Sequence, residues 1–181
     1  MHEHTGKVLL IGYGNPGRRD DGLGPALAGA VEKLEIPGVT VDADYQLTVE
    51  DAAAVTAHDA VVFADAAVAG PEPFSFRRIE PKLAVSFSSH SVDPQTVLAL
   101  AHELFGARTE GYVLGIRGYA FEEFGESLSQ RARANLAAAL AFIQPVLRKR
   151  AFREVAAEAD DLPPPDVSLT LEDEPCKTKN T

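Results

Sequence analysis

Residues 9–25 read LLIGYGNPGRRDDGLGP, and the reading of this stretch decides the fold. The apolar run Val8 to Ile11 has the length and composition of a buried strand. Gly12-Tyr13-Gly14-Asn15-Pro16-Gly17 ends it, because glycine admits positive φ and proline removes a ladder donor. Two adjacent carboxylates, Asp20 and Asp21, follow, and Gly22-Leu23-Gly24-Pro25 opens an alanine-rich helical pattern that runs to Leu34. A strand, a glycine-rich turn and a helix place that turn at the carboxyl edge of a parallel sheet, where α/β proteins keep their sites. Such turns commonly hold phosphate. Asp20 and Asp21 would repel phosphate and suit a cation.

Outward from this unit, the pattern predicts alternating strands and helices. Val39 to Ala43 alternates as a second strand after the Pro37-Gly38 turn. A second helix starts at Thr48 or Glu50 and ends near His58. Ala60 to Ala64 is a third strand, apolar throughout as a strand covered on both faces should be, and it stops at Asp65. Phe74 to Ile79 alternates like an antiparallel edge strand, and Ser86 to Ser91 is a polar loop containing His90. Asp93 as N-cap and Pro94 in the first turn start a helix that points Val97, Leu98, Ala101, Leu104 and Phe105 inward and ends at Gly106. Tyr112 to Ile116 is the last strand, and a helix from about Leu128 to Arg148 closes the domain with Leu136, Ala139, Leu140, Ile143 and Leu147 as its core stripe. The expected architecture is an α/β fold, a three-layer α/β/α sandwich on a mixed, mostly parallel five-stranded sheet. The α/β domain is expected over residues 1–150. Residues 151–181 are acidic, contain Pro163-Pro164-Pro165, lose the periodicity, and are expected to form a disordered tail.

Composition narrows the function classes. With 181 residues, 45% of them hydrophobic, the chain can bury one core. A lone cysteine, Cys176, rules out an internal disulfide and fits a reducing compartment. No apolar stretch approaches the ~20 residues that span a bilayer, so a cytoplasmic protein without a membrane partner is expected. The net charge of −10 disfavours a nucleic-acid surface, and about half of that excess lies beyond Arg150. His2 and His4 sit in a terminal lead-in, where an H-x-H pair is more simply a solvated end than a metal site.

On this topology Asp21, Asp65 and His90 all fall at or beyond strand carboxyl ends and could converge on one crevice. Two carboxylates and an imidazole form a three-ligand set with open positions, suited to a borderline divalent ion such as nickel or zinc. Each also has a plain structural reading. Asp20 or Asp21 could cap the first helix, Asp65 could hold the turn after its strand, and His90 could be a hydrogen-bonded loop residue.

GYGNPGRRDDGLG (residues 12–24), VVFADA (61–66) and SSHS (88–91) resemble the three motifs of the hydrogenase maturation endopeptidases, which trim the C-terminus of the large subunit of nickel–iron hydrogenases. The similarity runs from Lys7 to about Leu147 and includes LGIRG and GESLS before the last helix. Carried over by position, the resemblance implies a catalytic, metal-contacting set of Asp21, Asp65 and His90. Asp21 stands where some relatives have Glu. It also implies an endopeptidase with no tightly bound cofactor of its own, which recognises nickel already inserted in the large-subunit precursor and then releases a C-terminal peptide. Asp20 is a candidate to support Asp21 or to handle a proton. No conventional nucleophile is evident, since Cys176 lies in the tail without a neighbouring histidine. The oligomeric state is open, with a monomer favoured.

Two other readings compete. GYGNPG also resembles the opening of bacterial peptidyl-tRNA hydrolases, but that family continues with a Thr-Arg-His-Asn stretch carrying its catalytic histidine, where this chain has Arg18-Arg19-Asp20-Asp21. The net charge also argues against a tRNA substrate. A non-enzymatic nucleotide-binding module would rest on Gly12-x-Gly14 alone, with no third spaced glycine and an acidic continuation.

Overall fold

The computed structural model describes residues 6–83 and 92–160. Five strands, β1 (Val8–Tyr13), β2 (Val39–Asp44), β3 (Ala60–Ala67), β4 (Phe74–Ile79) and β5 (Glu110–Arg117), form one sheet in the order β2-β1-β3-β5-β4. All neighbours are parallel except β4, which pairs antiparallel with β5 at the edge. Five α-helices cover the sheet: α1 (Leu23–Glu32), α2 (Asp51–Thr56), α3 (Pro94–Phe105), α4 (Gln130–Lys149) and α5 (Phe152–Asp160).

Strand alternation divides the core in two. Leu10, Val62 and Leu114 point to the face covered by α1, α4 and α5, where they meet Leu27, Val31, Ala139 and Ile143. Leu9, Ile11, Val61 and Phe63 point to the face covered by α2 and α3, against Val55, Val97 and Leu98. The central strands are therefore apolar on both sides, and the expected three-layer α/β/α sandwich with a mostly parallel five-stranded sheet is the fold observed.

Two glycines let α1 start directly over the strand ends. A Cβ on Gly12 would overlap the carbonyl of Gly24, and one on Gly24 would overlap the carbonyls of Tyr13 and Ala64. Any side chain at either position would push α1, and the acidic turn before it, off the sheet edge.

α3 has the ends its sequence predicts. The Asp93 carboxylate accepts the Thr96 N–H at 2.7 Å, and Gly106 closes the helix in the left-handed region at φ 65°. Three expectations are corrected. Leu104 and Phe105, expected inward, are exposed because none of the described elements covers the last turn of α3. Asp65 does not end the third strand, because β3 runs on to Ala67 along the full length of β5.

The third correction is that the packed domain does not stop at residue 150. Arg150 adopts a left-handed conformation that ends α4, and the chain re-enters a helix at Phe152. Phe152 and Ala156 are buried, and the Phe152 ring lies 5.2 Å from that of Tyr112. Arg153 donates to Glu110, which also accepts the Tyr112 hydroxyl at 2.7 Å. The remaining residues of the expected tail, 161–181, lie outside the described residues.

Candidate functional site at the carboxyl edge of the sheet

The turn after β1 is built by its own polar groups. Gly14, at φ 135°, donates its N–H to the Asp44 carbonyl at 3.0 Å, and a Cβ there would overlap the Asp21 carbonyl. The Asn15 side chain accepts the Gly17 N–H at 2.8 Å, and the Asn15 carbonyl accepts the Arg18 N–H at 3.0 Å. This winding leads into a short 3-10 turn, Arg19–Gly22, that carries both carboxylates. Asp21 is half-buried at the edge, and one of its oxygens accepts the Asn15 N–H at 3.0 Å. The carboxylate is thus oriented from behind by the turn that presents it.

Asp20 has a different role from its neighbour. Its side chain is fully buried and accepts four hydrogen bonds, from the N–H groups of Tyr119 (2.8 Å), Ala120 (2.9 Å) and Ser129 (2.7 Å) and from the Ser129 hydroxyl (2.7 Å). Burial alone would raise its pKa. The four donors outweigh it and hold the carboxyl below its ordinary value. Asp20 also does not cap α1: the N-cap is Gly22, with no side-chain bond. It instead ties the 118–129 loop to the acidic turn.

Asp65 sits on the α2/α3 face of the sheet. The pairing of β1 with β3 ends at Gly12 and Ala64, so the next residues, Tyr13 and Asp65, lie side by side on that face. The Tyr13 hydroxyl donates to the Asp65 carboxylate, and Asp65 also accepts the following Ala66 N–H at 2.7 Å. Burial pushes the Asp65 carboxyl up to about 6, the two hydrogen bonds draw it back, and the charge of Asp21 adds to the rise. Burial and the adjacent Asp65 likewise push the Tyr13 hydroxyl far above its ordinary value, so it remains a donor.

The structure therefore brings Asp21 and Asp65 to one edge, close enough for one charge to be felt by the other. His90 lies outside the described residues, but Val92, two residues on, donates its N–H to the Leu47 carbonyl in the loop after β2. Among the described residues no group of three metal-ligating side chains assembles. The donors that are present, two carboxylates on separate elements, suit an oxygen-accepting cation. Burial leaves Asp65 more readily protonated than an ordinary aspartate.

Sequence reading missed two residues of this arrangement. Tyr13 shares the parity of Leu9 and Ile11 along β1, a signal that placed it on the α2/α3 face. Ser129 caps α4, accepting the Ala132 N–H at 3.3 Å while its hydroxyl donates to Asp20, and a serine ahead of a helical pattern was the visible sign. A cleft of about 490 Å³ lies at the opposite, amino edge, among Lys7, Asp59, Glu110 and Arg153, away from both carboxylates.

No protein-family model matches the sequence, and no curated protein matches it. Solved structures do match the fold. The nickel–iron hydrogenase maturation protease HycI from Thermococcus kodakarensis superposes with a TM-score of 0.62 at 22% identity, over 78% of this chain and 92% of that one. The hydrogenase maturating endopeptidase HybD from Escherichia coli gives 0.58 at 19% identity, over 80% and 93%. An uncharacterized protein from Wolinella succinogenes gives 0.55 at 28% identity, over 78% and 96%.

Proposed function

We infer, from a fold that groups this chain with the nickel–iron hydrogenase maturation proteases, that it is an endopeptidase that removes the C-terminal extension of a hydrogenase large-subunit precursor after nickel insertion. The observation that carries the reading is the Asp21–Asp65 pair at the carboxyl edge, with Asp65 half-buried, oriented by Tyr13 and its carboxyl pushed up to about 6 by desolvation. A bare pair of carboxylates in that position repels itself. A cation carried in by the substrate relieves the repulsion and offsets the cost of burying Asp65 in its ionised form.

Asp21, Asp65 and His90 are the residues proposed to meet the substrate's nickel. Held there, the precursor's metal would supply a Lewis acid for the scissile carbonyl. Hydrolysis then requires water to add to the carbonyl carbon and the C–N bond to break. The proton lost by the water has to reach the leaving amine. Tyr13 holds the Asp65 carboxylate in place toward the metal, and Asp20 keeps the acidic turn fixed without touching substrate. Among the described residues no helix is long and apolar enough to cross a membrane.

The test is mass spectrometry of a nickel-loaded large-subunit precursor incubated with the purified protein. Loss of one C-terminal peptide by wild type, and no loss with Asp21→Asn, is the expected result. Cleavage undiminished in the Asn variant would remove Asp21 from the site, and no cleavage by wild type would refute the assignment.

A further inference from the structure

The loop between β5 and α4 is fastened to the acidic turn along most of its length. Gly125 donates to the Gly17 carbonyl at 2.9 Å and accepts the Arg19 N–H at 2.8 Å, and Asp20 donates its N–H to Ala120 at 3.0 Å. The Arg18 guanidinium reaches the Phe121 carbonyl at 3.3 Å, Arg19 reaches that of Ser127 at 3.3 Å, and Arg19 pairs with Glu123. Between the fastened residues Glu123 and Gly125, the Phe124 side chain is 91% exposed. A phenylalanine on a slack loop could fold back onto apolar surface. This one is held out by bonds on both sides, and its full apolar area stays in water.

The same loop and turn form a groove of about 350 Å³ whose lining is apolar at Pro16, Pro25, Ala26 and Leu128 and charged at Arg19 and Glu126. Glu122, Glu123 and Glu126 flank Phe124 in the loop, all exposed, with Glu123 paired to Arg19. That charge would repel an anionic lipid surface, a nucleic acid, or a second copy of a chain whose own net charge is −10. An apolar residue on a loop that carries an excess of carboxylates instead fits a polypeptide that offers an apolar pocket within a basic surround.

We propose that Phe124 is the anchor of a docking surface for the polypeptide substrate, engaging the precursor next to the Asp21 turn. The inference rests on the function proposed above and names where that substrate is held. The fastening through Asp20 and Arg19 then serves two ends, fixing the acidic turn and presenting Phe124 without the entropy loss of ordering a loop on binding.

The experiment measures direct binding of fluorescently labelled, nickel-loaded precursor, and steady-state processing, for wild type, Phe124→Ser and Phe105→Ser. Phe105 is the control, exposed at the end of α3 on the opposite edge. Phe124→Ser should weaken binding and raise KM by about tenfold, as for a truncated interface anchor, with kcat within about twofold. Phe105→Ser should change neither. Both substitutions remove exposed side chains, so thermal unfolding should match wild type. Unchanged binding in Phe124→Ser, equal losses in the two variants, or no binding of the precursor by wild type would each overturn the proposal. Phe124-dependent binding without cleavage would sustain the docking surface and refute only the protease assignment.

Discussion

Asp65→Asn should make the protein more stable at neutral pH while stopping its proposed activity. Burial raises the Asp65 carboxyl from 3.8 to about 6, so the fold favours the protonated, neutral form. A group with a raised folded-state pKa contributes stability that is present below the unfolded value and is lost as pH rises through the folded one. At pH 7 Asp65 is ionised in both states, and the cost of that charge to the native state is about 3 kcal/mol at 1.36 kcal/mol per pH unit. Asparagine approximates the neutral acid and does not bear this cost. Partial solvent access to the side chain trims the expected gain to roughly 2–3 kcal/mol, or about 4–12 °C in Tm for a domain of this size. Urea unfolding of both proteins from pH 3 to pH 8 gives the readout. The curves should coincide near pH 3.8 and below, separate between about 4 and 6, and stay apart above. An Asn variant that is less stable than wild type at pH 7, by an amount independent of pH, would show that Asp65 bears no burial cost and would refute the reasoning.

Asp20→Asn should act in the opposite direction, because one amide hydrogen-bond donor must then face a backbone or hydroxyl donor. The expected loss is about 2–4 kcal/mol by chemical denaturation. The Asp20 carboxyl is held below its ordinary value, so wild type's advantage should be full above the unfolded carboxylate pKa and fade as pH falls through the folded one. Tyr13→Phe keeps the ring in its packed position and removes the donor that draws the Asp65 pKa down, so carboxyl NMR should show Asp65 titrating above about 6. Phe152→Ala should cost about 3–5 kcal/mol by thermal or urea unfolding, whereas a residue outside the packed domain would cost almost nothing.

The parts of this fold that were legible in the sequence are those set by local pattern. The apolar run Val8–Ile11, the glycines that follow it, and the Asp93-Pro94 and Gly106 boundaries of α3 each act over a few residues, and each is realised as read. Asp21 could be placed at the sheet edge for the same reason. The role of Asp20 could not be read locally, since its partners lie 99 to 109 residues away on the far side of β5. Asp65 looked like a strand terminus because the apolar run ends there. Its partner β5 continues, and the ladder carries β3 on to Ala67. Phe152, Val155 and Ala156 do have helical spacing, but across a nine-residue helix rich in charge the signal is weak, and only the buried ring of Tyr112 shows what α5 packs against. Pattern likewise pointed Leu104 and Phe105 inward, because periodicity identifies a helix face without showing whether a neighbour covers its last turn.

The central claim, that the Asp21 edge acts on a cation borne by the substrate, is tested most directly by one rate comparison. The same large-subunit precursor is prepared with and without inserted nickel, and release of its C-terminal peptide by wild-type protein is followed in parallel. The account predicts cleavage of the nickel-loaded form alone, because without the ion the two carboxylates have no cation to share and repel each other. Equal cleavage of both forms would contradict it and leave Asp21 and Asp65 as parts of an ordinary sequence-reading protease.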